Sequence, residues 1–297
     1  MHVNNKTTKE IILMKYAITA ATGHFGQYAV AALNHAVGAD NVIVIARNQE
    51  KATKLFPNNE VRIGDYDSAP SMTEALHSVD RVLFISSQPG GPVARLDQHQ
   101  NVIAALQANH VALTVYTSFP HADQAQSALA SDHRATEVAI QAAGLKHSFV
   151  RNNWYLENEA GFIQALAHQQ PAAYWTNQAM GWAAEQDYAR AAVKVLTMDD
   201  PQPSYELAGP IRTYAQLGQD LASALNITNT ATLVTREAYI AGLEQAGFDH
   251  DTASLFASFQ EPAAVGDLRH ASADLINLMD GDLTPLTTVV TRLVEQK

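Results

Sequence analysis

The stretch Thr19-Ala20-Ala21-Thr22-Gly23-His24-Phe25-Gly26, which follows the apolar run Tyr16-Ala17-Ile18, decides the fold. A buried strand that enters a Gly-containing turn and then a helix is typical of a dinucleotide-binding site. The backbone N–H groups of such a turn and the positive end of the helix face the phosphates. Gly23 lets the backbone approach the phosphates, and Gly26 lets the helix pack closely on the strand. The stretch therefore predicts the start of a nucleotide-binding α/β fold.

Ala20 stands where a dinucleotide fingerprint begins with Gly. That first Gly serves the tight turn between strand and helix. We expect Ala20 to adopt a negative φ in the turn, so that cofactor binding is weakened rather than abolished. An ordinary strand-to-helix connection is the alternative interpretation of the whole turn.

Composition limits the class of protein. The chain has 297 residues, of which 47% are apolar and 16% charged, as in soluble globular proteins. Its net charge of −11 disfavours a nucleic-acid partner, and no apolar run approaches the roughly 18 residues of a membrane span. The absence of Cys excludes thiolate catalysis, disulfides and Cys-ligated metals, and agrees with a cytoplasmic location. The His residues show no metal-ligand spacing, so we predict no metal site.

Short apolar runs alternate with helical stretches through the first half of the chain, which indicates a parallel sheet covered on both faces. After about Asn152 this alternation loosens. We therefore predict an α/β fold, a Rossmann-type doubly wound parallel sheet with a smaller interleaved α+β domain. The predicted divisions are a dispensable N-terminal extension over 1–13, an NAD(P)-binding domain over 14–151 and a substrate-pocket domain over 152–297.

The residues after the second predicted strand bear on cofactor choice. An NAD-specific fold has an acid there for the ribose hydroxyls, whereas this chain has Arg47 and Lys51. Arg can bind a 2′-phosphate with two hydrogen bonds and Lys adds a point charge, so the pair favours NADP(H) over NAD(H); a solvated surface turn is the alternative. The polar residues that end the third, fourth and fifth predicted strands are candidates for contacts with the adenine, the ribose and the nicotinamide. Alternatively, they are helix caps or turn residues. They are Asp65, Tyr66, Ser86, Ser87, Thr117 and Ser118.

Seven motifs along the chain resemble the NmrA-like branch of the atypical short-chain dehydrogenases: TAATGHFG, IARNQEKA, GDYDSA, ISSQPG, YTSFPHAD, RNNWYLEN and YELAG. Within that branch they most resemble the bacterial type-2 NAD(P)H:quinone oxidoreductases, a group related to triphenylmethane reductase. The resemblance extends from about Lys15 to the C-terminal helix, and YTSFPHAD and RNNWYLEN are its most specific motifs.

This resemblance implies the positions of the cofactor and of the substrate. The cofactor turn comprises Thr22, Gly23, His24, Phe25 and Gly26, with Arg47 and Lys51 at the 2′-phosphate. The substrate pocket lies near Asn152, Asn153, Trp154 and Tyr155, at the mouth of the nicotinamide site. We expect NADP(H) as cofactor, a quinone or similar planar acceptor as substrate, and a monomer or homodimer.

The reaction is constrained by a missing pair of residues. Short-chain dehydrogenases that act on alcohols use a Tyr with a Lys four residues later, and here His133 and Glu137 have that spacing. His can donate a proton near neutral pH, but Glu does not lower the pKa of a neighbour, so alcohol–carbonyl interconversion is disfavoured. A quinone needs less assistance, because its reduction gives an aromatic anion that solvent can protonate. We predict hydride transfer to a quinone, with Asn153, Tyr155 and His121 acting on the acceptor and Asn152 and Trp154 binding it.

Several of these residues also have a purely structural interpretation. Trp154 and Tyr155 are alternatively core aromatics at a domain junction, His133 a structural histidine and His121 a loop residue. A redox-sensing regulator of the NmrA type, which binds NAD(P) without turnover, fits Ala20 and the missing Tyr/Lys pair equally well. A sugar-nucleotide epimerase is disfavoured because it needs that pair.

Overall fold

The computed structural model describes residues 14–295, so the predicted extension over 1–13 lies outside the described residues. The strands are β1 Tyr16–Ile18, β2 Val42–Ala46, β3 Glu60–Ile63, β4 Arg81–Phe84, β5 Leu113–Ser118, β6 His147–Asn152, β7 Ala172–Tyr174, β8 Ser204–Leu207 and β9 Ala231–Leu233. Seven of them form one sheet in the order β3-β2-β1-β4-β5-β6-β8, and β7 pairs with β9. Every pairing between these strands is parallel.

Helices connect these strands and cover the sheet. They are α1 His24–Val37, α2 Gln49–Leu55, α3 Ala69–Ala75, α4 Arg95–Ala108, α5 Ala128–Ala142, α6 Ala160–Ala167, α7 Glu185–Thr197, α8 Tyr214–Leu225, α9 Arg236–Gln245, α10 His250–Ser258, α11 Glu261–Ala264, α12 Asp274–Leu278 and α13 Leu286–Glu295. Across residues 14–295, none of them combines the length and the apolar character needed to cross a bilayer.

The central strands are buried on both faces because side chains alternate along a strand. In β2, Val42, Val44 and Ala46 pack towards α1 and α7, whereas Ile43 and Ile45 pack towards α3 and α4. A continuous run of β-branched residues therefore serves two cores at once. The predicted Rossmann-type doubly wound sheet is confirmed.

The chain after residue 152 contributes to both parts of the fold. β8 extends the sheet beside β6, and α7 packs on α1 across the same face. A separate core forms where α6, α8 and α13 meet around Trp182 and Tyr214. This arrangement puts the second half of the chain over the carboxyl ends of β5 and β6.

Candidate functional site

The turn after β1 lies against both neighbouring strands. The Thr19 N–H donates to the Leu83 carbonyl at 3.1 Å, and the Ala21 N–H donates to the Ile45 carbonyl at 3.2 Å. α1 then begins with Gly23 as its N-cap and no capping side chain, which leaves its first N–H groups for a partner outside the helix. A Cβ atom on Gly26 would lie 2.6 Å from the Ala21 carbonyl oxygen, so glycine is required for this close packing.

Ala20 adopts φ +49°, so the expectation of a negative φ is wrong. The Gly23 N–H donates to the Ala20 carbonyl at 3.1 Å, so a tight turn follows directly after this left-handed residue. That region costs an L-residue with a Cβ atom about 1–2 kcal/mol. The turn keeps the geometry of a glycine-containing fingerprint, with the strain held at Ala20.

Replacement of Ala20 by Gly is therefore expected to increase the free energy of unfolding by about 1 kcal/mol. Urea unfolding followed by circular dichroism measures the change. Ala31→Gly is the matched control, because Ala31 is exposed within α1 and glycine there should destabilise by about 1 kcal/mol. A loss of stability in both variants would contradict strain at Ala20.

A cavity of about 520 Å³ opens between the start of α1 and the carboxyl ends of β4, β5 and β6. Parallel α/β sheets bind their ligands at this edge. Nine of the predicted site residues line it: His24, Phe25, Ser86, Thr117, Ser118, Asn152, Asn153, Trp154 and Tyr155. The fold therefore brings together predicted residues that are up to 131 positions apart in the chain, from 24 to 155.

Polar residues at the strand ends are held by hydrogen bonds. The Thr117 hydroxyl accepts the Ser86 N–H at 2.9 Å, which joins the ends of β4 and β5. The Ser118 hydroxyl donates to Glu137 at 2.5 Å, and Arg151 binds both oxygens of the same carboxylate at 2.9 and 2.7 Å. This network fixes the floor of the cavity.

Tyr155 forms part of an aromatic wall. Its ring stacks on Phe25 with centroids 6.1 Å apart, and its hydroxyl accepts a hydrogen bond from the Asn152 amide at 3.0 Å. Burial raises the pKa of Tyr155 well above its usual range. The phenol is therefore neutral, and it contributes shape and a hydrogen bond rather than a ready proton.

Asn153 lines the cavity, but its side-chain amide forms hydrogen bonds with backbone groups of the protein. Its Oδ1 accepts the N–H groups of Trp154 at 2.8 Å and Gly181 at 3.2 Å. Its Nδ2 donates to the Leu268 carbonyl at 3.0 Å. Asn153 therefore positions Trp154, whose ring is buried against the second core.

His121 does not line the cavity, which corrects its predicted contact with the acceptor. Its φ of +44° turns the chain after Pro120, its imidazole lies 3.6 Å from Glu206, and its ring packs on His270. The predicted loop position is right, but the left-handed turn directs the side chain towards β8.

The remaining predicted cofactor residues do not line the cavity. Arg47 and Lys51 are exposed at the carboxyl end of β2. The Tyr66 hydroxyl is buried and donates to the Ile85 carbonyl at 2.7 Å, so Tyr66 joins two strands rather than offering its hydroxyl to a ligand. The Ser87 N–H donates to His99 at 3.0 Å, away from the cavity. The other four belong to the β1–α1 turn, to α1 or to the segment after β3: Thr22, Gly23, Gly26 and Asp65.

Several residues that line the cavity were not predicted as site residues from the sequence, among them Arg95, His133, Glu157 and Glu185. His133 is buried between Arg95 Nη2 and the Tyr116 hydroxyl, at 3.0 Å from each. Burial and the positive charge of Arg95 lower the pKa of His133 well below its usual range. The core-facing stripe of α5, with His133, Thr136 and Glu137, is polar, so apolar periodicity could not identify it.

Two carboxylates face the start of α1. The Glu185 N–H donates to Glu157 at 2.8 Å, and Arg292 lies 3.4 Å from Glu157. Burial and the negative charge of Glu157 raise the pKa of Glu185 to about 7, while a hydrogen bond from the Phe25 N–H lowers it. Within residues 14–295, no cluster of His, Asp and Glu side chains is arranged to bind a metal ion.

These features fit a dinucleotide better than a simple anion. The uncapped α1, the glycine-dependent approach at Gly26 and the cavity form one continuous edge of the sheet, and the exposed cations at Arg47 and Lys51 lie at its far end. This order matches pyrophosphate, nicotinamide and 2′-phosphate in a Rossmann-type fold.

Comparison with known proteins gives consistent matches over nearly the whole chain. Quinone oxidoreductase 2 of Escherichia coli (strain K12) is 33% identical, and the match covers 93% of this chain and 98% of that protein. The crystal structure of an NADPH-dependent quinone oxidoreductase from Escherichia coli in complex with NADPH superposes with a TM-score of 0.85 at 32% identity, covering 94% of this chain and 99% of the other. The Citrobacter sp. triphenylmethane reductase complexed with NADP(H) superposes with a TM-score of 0.87 at 29% identity, covering 94% and 100%.

The family resemblance seen in the motifs is confirmed by these matches. A family model described as NAD(P)H-binding matches residues 20–199, a range that begins in the β1–α1 turn and ends just after α7. The chain belongs to this family of NAD(P)H-binding proteins, and quinone oxidoreductase 2, which it matches over 93% of its length, is an oxidoreductase.

Proposed function

We propose that this protein is an NADPH-dependent reductase that transfers a hydride to a quinone or a similar planar, electron-poor acceptor. The observation that carries the proposal is the aromatic-walled cavity beside the start of α1. The similarity to quinone oxidoreductase 2 and to triphenylmethane reductase supports it. NADPH, when bound, supplies the hydride.

The protein groups in the cavity suit an acceptor that needs no acid catalyst. His133 is neutral because burial and Arg95 lower its pKa, and Glu137 is held by Arg151. Phe25 and Tyr155 offer flat apolar surface on one side. Binding in one orientation and exclusion of water are the main contributions that such a site makes to the rate.

The choice of NADPH over NADH rests on Arg47 and Lys51 at the carboxyl end of β2. An exposed guanidinium can bind a 2′-phosphate with two hydrogen bonds. We expect Arg47→Ala to lower kcat/KM for NADPH by about tenfold or more, with little change for NADH. Lys54→Ala is the control, because Lys54 lies one turn further along α2 and is also exposed.

The test is the consumption of NADPH, and of NADH in parallel, with 1,4-benzoquinone as acceptor. Oxidation of NADPH that greatly exceeds that of NADH supports the proposed reductase. Tight NADPH binding without turnover, for quinones and triphenylmethane dyes alike, would instead indicate a cofactor-sensing regulator. An unchanged preference in Arg47→Ala would remove Arg47 from the 2′-phosphate site.

The Glu157–Glu185 pair predicts that NADPH affinity depends on pH. A bound pyrophosphate beside Phe25 adds negative charge near Glu185, so it raises the pKa of this carboxyl further. Binding then takes up a proton, and affinity falls as pH rises through about 7. Between pH 6 and pH 8, we expect the NADPH affinity of the wild type to fall by about tenfold more than that of Glu185→Gln.

Titration of NADPH into both proteins, followed by fluorescence, measures this difference. Glu185→Gln serves as the reference because glutamine has nearly the size of glutamate but does not ionise. Any pH dependence that comes from ionisation of the cofactor affects both proteins equally. Ala substitution of Glu237, an acid in the first turn of α9, controls for net charge. Parallel pH profiles for the wild type and Glu185→Gln would contradict the predicted proton uptake.

A further inference from the structure

Arg95, the first residue of α4, is a buried cation in the wall of the cavity, and its side chain is 6% exposed. Its Nη2 donates to His133 Nε2 at 3.0 Å. Its Nε and Nη1 have no hydrogen-bond acceptor among residues 14–295. In that range the carboxylate nearest to it is that of the partly exposed Asp132, at 3.9 Å from Nη1, which is too long for a hydrogen bond.

Two other largely buried arginines of this protein differ from Arg95. Arg151 makes four charged hydrogen bonds, to Glu137, Glu206 and Asp123. Arg81 donates to the carbonyls of Leu196 and Met198 at 2.9 and 2.6 Å. Both therefore have the partners that a buried charge normally has, whereas Arg95 has one neutral imidazole and a carboxylate 3.9 Å away, beyond hydrogen-bond distance.

His133 does not compensate the charge of Arg95. Because a guanidinium only donates hydrogen bonds, His133 Nε2 must accept, and its Nδ1–H donates to the Tyr116 hydroxyl at 3.0 Å. Burial lowers the pKa of Arg95 and, together with Arg95, that of His133. The charge of Arg95 is therefore without a hydrogen-bonded anion among residues 14–295.

We propose that Arg95 is the anion-binding residue of the acceptor cavity, which selects planar acceptors that carry, or gain on reduction, a negative charge on oxygen. This inference rests on the reductase function proposed above and names the substrate class of the same cavity. The cavity wall that includes Phe119 and Leu129 next to His133 is apolar, so the charge acts in a medium of low dielectric constant.

The redox step shows why such a charge is useful. A quinone that accepts a hydride gains one O–H bond on one oxygen and a full negative charge on the other. NADPH would supply that hydride from a C–H bond of its nicotinamide and would be oxidised to NADP⁺. A proton from solvent then completes the hydroquinone. A fixed cation near the second oxygen stabilises the charge as it develops.

The experiment compares two ligands of nearly equal shape. 2-Hydroxy-1,4-naphthoquinone is an anion at neutral pH, and 2-methoxy-1,4-naphthoquinone is neutral. Their affinities for the protein with bound NADP⁺ are measured by quenching of tryptophan fluorescence, which Trp154 in the cavity wall reports. The proteins are the wild type, Arg95→Met, Arg95→Lys and the charge control Lys146→Met, whose site is exposed.

We expect the wild type, Arg95→Lys and Lys146→Met to prefer the anion by about tenfold. Arg95→Met should lose that preference and keep its affinity for the methoxy compound. An anion preference that survives in Arg95→Met, or a wild type without one, would overturn the inference. Should Arg95→Met fold poorly, Arg95→Gln takes its place, with NADPH affinity as the measure of folding.

Measurements of ligand binding and of quinone turnover distinguish the role of Arg95 from the proposed reductase function. An anion preference without quinone reduction supports Arg95 as the binding residue and counts against the reductase. Quinone reduction with equal affinity for both ligands supports the reductase and overturns the role of Arg95. Failure of both ligands to bind overturns the role of Arg95 as well.

Discussion

Substitution of Gly26 by Ala is expected to weaken NADPH binding by about a hundredfold or more and to destabilise the fold by about 3 kcal/mol. The added Cβ atom would lie 2.6 Å from the Cα atom and the carbonyl oxygen of Ala21, and 2.7 Å from the carbonyl oxygen of Ala20. These are backbone atoms, so no side-chain rotation relieves the contact. α1 has to move away from the turn, and its first N–H groups move with it.

Urea unfolding and NADPH titration measure the two effects. Gly161→Ala controls for the substitution itself, because a Cβ atom there meets no atom within 4 Å. Gly23→Ala is the closer comparison: its Cβ atom would meet only the Ala20 carbonyl, at 3.4 Å, an ordinary contact. We expect Gly23→Ala to fold normally, and wild-type NADPH affinity in Gly26→Ala would refute the proposed packing.

The same turn illustrates how far local sequence can predict this fold. The strand, the turn and the start of the helix follow from residues 16–26 and from the apolar periodicity around them, because a buried parallel strand and an amphipathic helix each leave a local pattern. The backbone conformation at Ala20 did not follow. Alanine favours negative φ, but Ala20 adopts φ +49° between Thr19 and Ala21, whose N–H groups donate to the carbonyls of neighbouring strand segments. Tertiary packing overrides local preference here.

Part of the cavity could be predicted from strand ends and part from the family resemblance. Ser86 and Thr117 end apolar runs, so their common edge could be inferred from the parallel sheet, whereas the resemblance implied Asn152, Trp154 and Tyr155. Arg95 and Glu185 each begin a helix after a loop, and charged residues at such places are usually exposed. Their burial depends on segments that come together only in the folded chain, and no spacing in the sequence encodes it.

Replacement of Arg151 by Met is expected to lower the free energy of unfolding by about 3–5 kcal/mol. Arg151 lies in β6 near the end of the strand. Its guanidinium binds Glu137 through two hydrogen bonds, and Glu206 and Asp123 through one each. The Glu137 side chain is only 6% exposed. Without Arg151, its charge remains buried with the Ser118 hydroxyl as a hydrogen-bond donor, which cannot neutralise it.

We expect the loss of stability to depend on how deeply the ion pair is buried rather than on the distance between its charges. A second ion pair tests this directly. Lys194 and Asp280 are 2.6 Å apart, closer than any pair that Arg151 makes, but their side chains are 42% and 82% exposed, compared with 13% for Arg151. We expect Lys194→Met to cost less than about 1 kcal/mol. Urea unfolding of both variants gives the comparison, and equal losses would contradict it.

The double variant Arg151→Met/Glu137→Gln isolates the uncompensated carboxylate. Removal of the charge from Glu137 should restore a substantial part of the stability lost in Arg151→Met, because the penalty comes from the unpaired anion. The same double variant keeps an amide oxygen that can accept the Ser118 hydroxyl. If the proposed quinone reduction recovers together with stability, the Arg151–Glu137 pair acts on the cavity through Ser118. If stability recovers without it, the charge itself is required at the cavity floor.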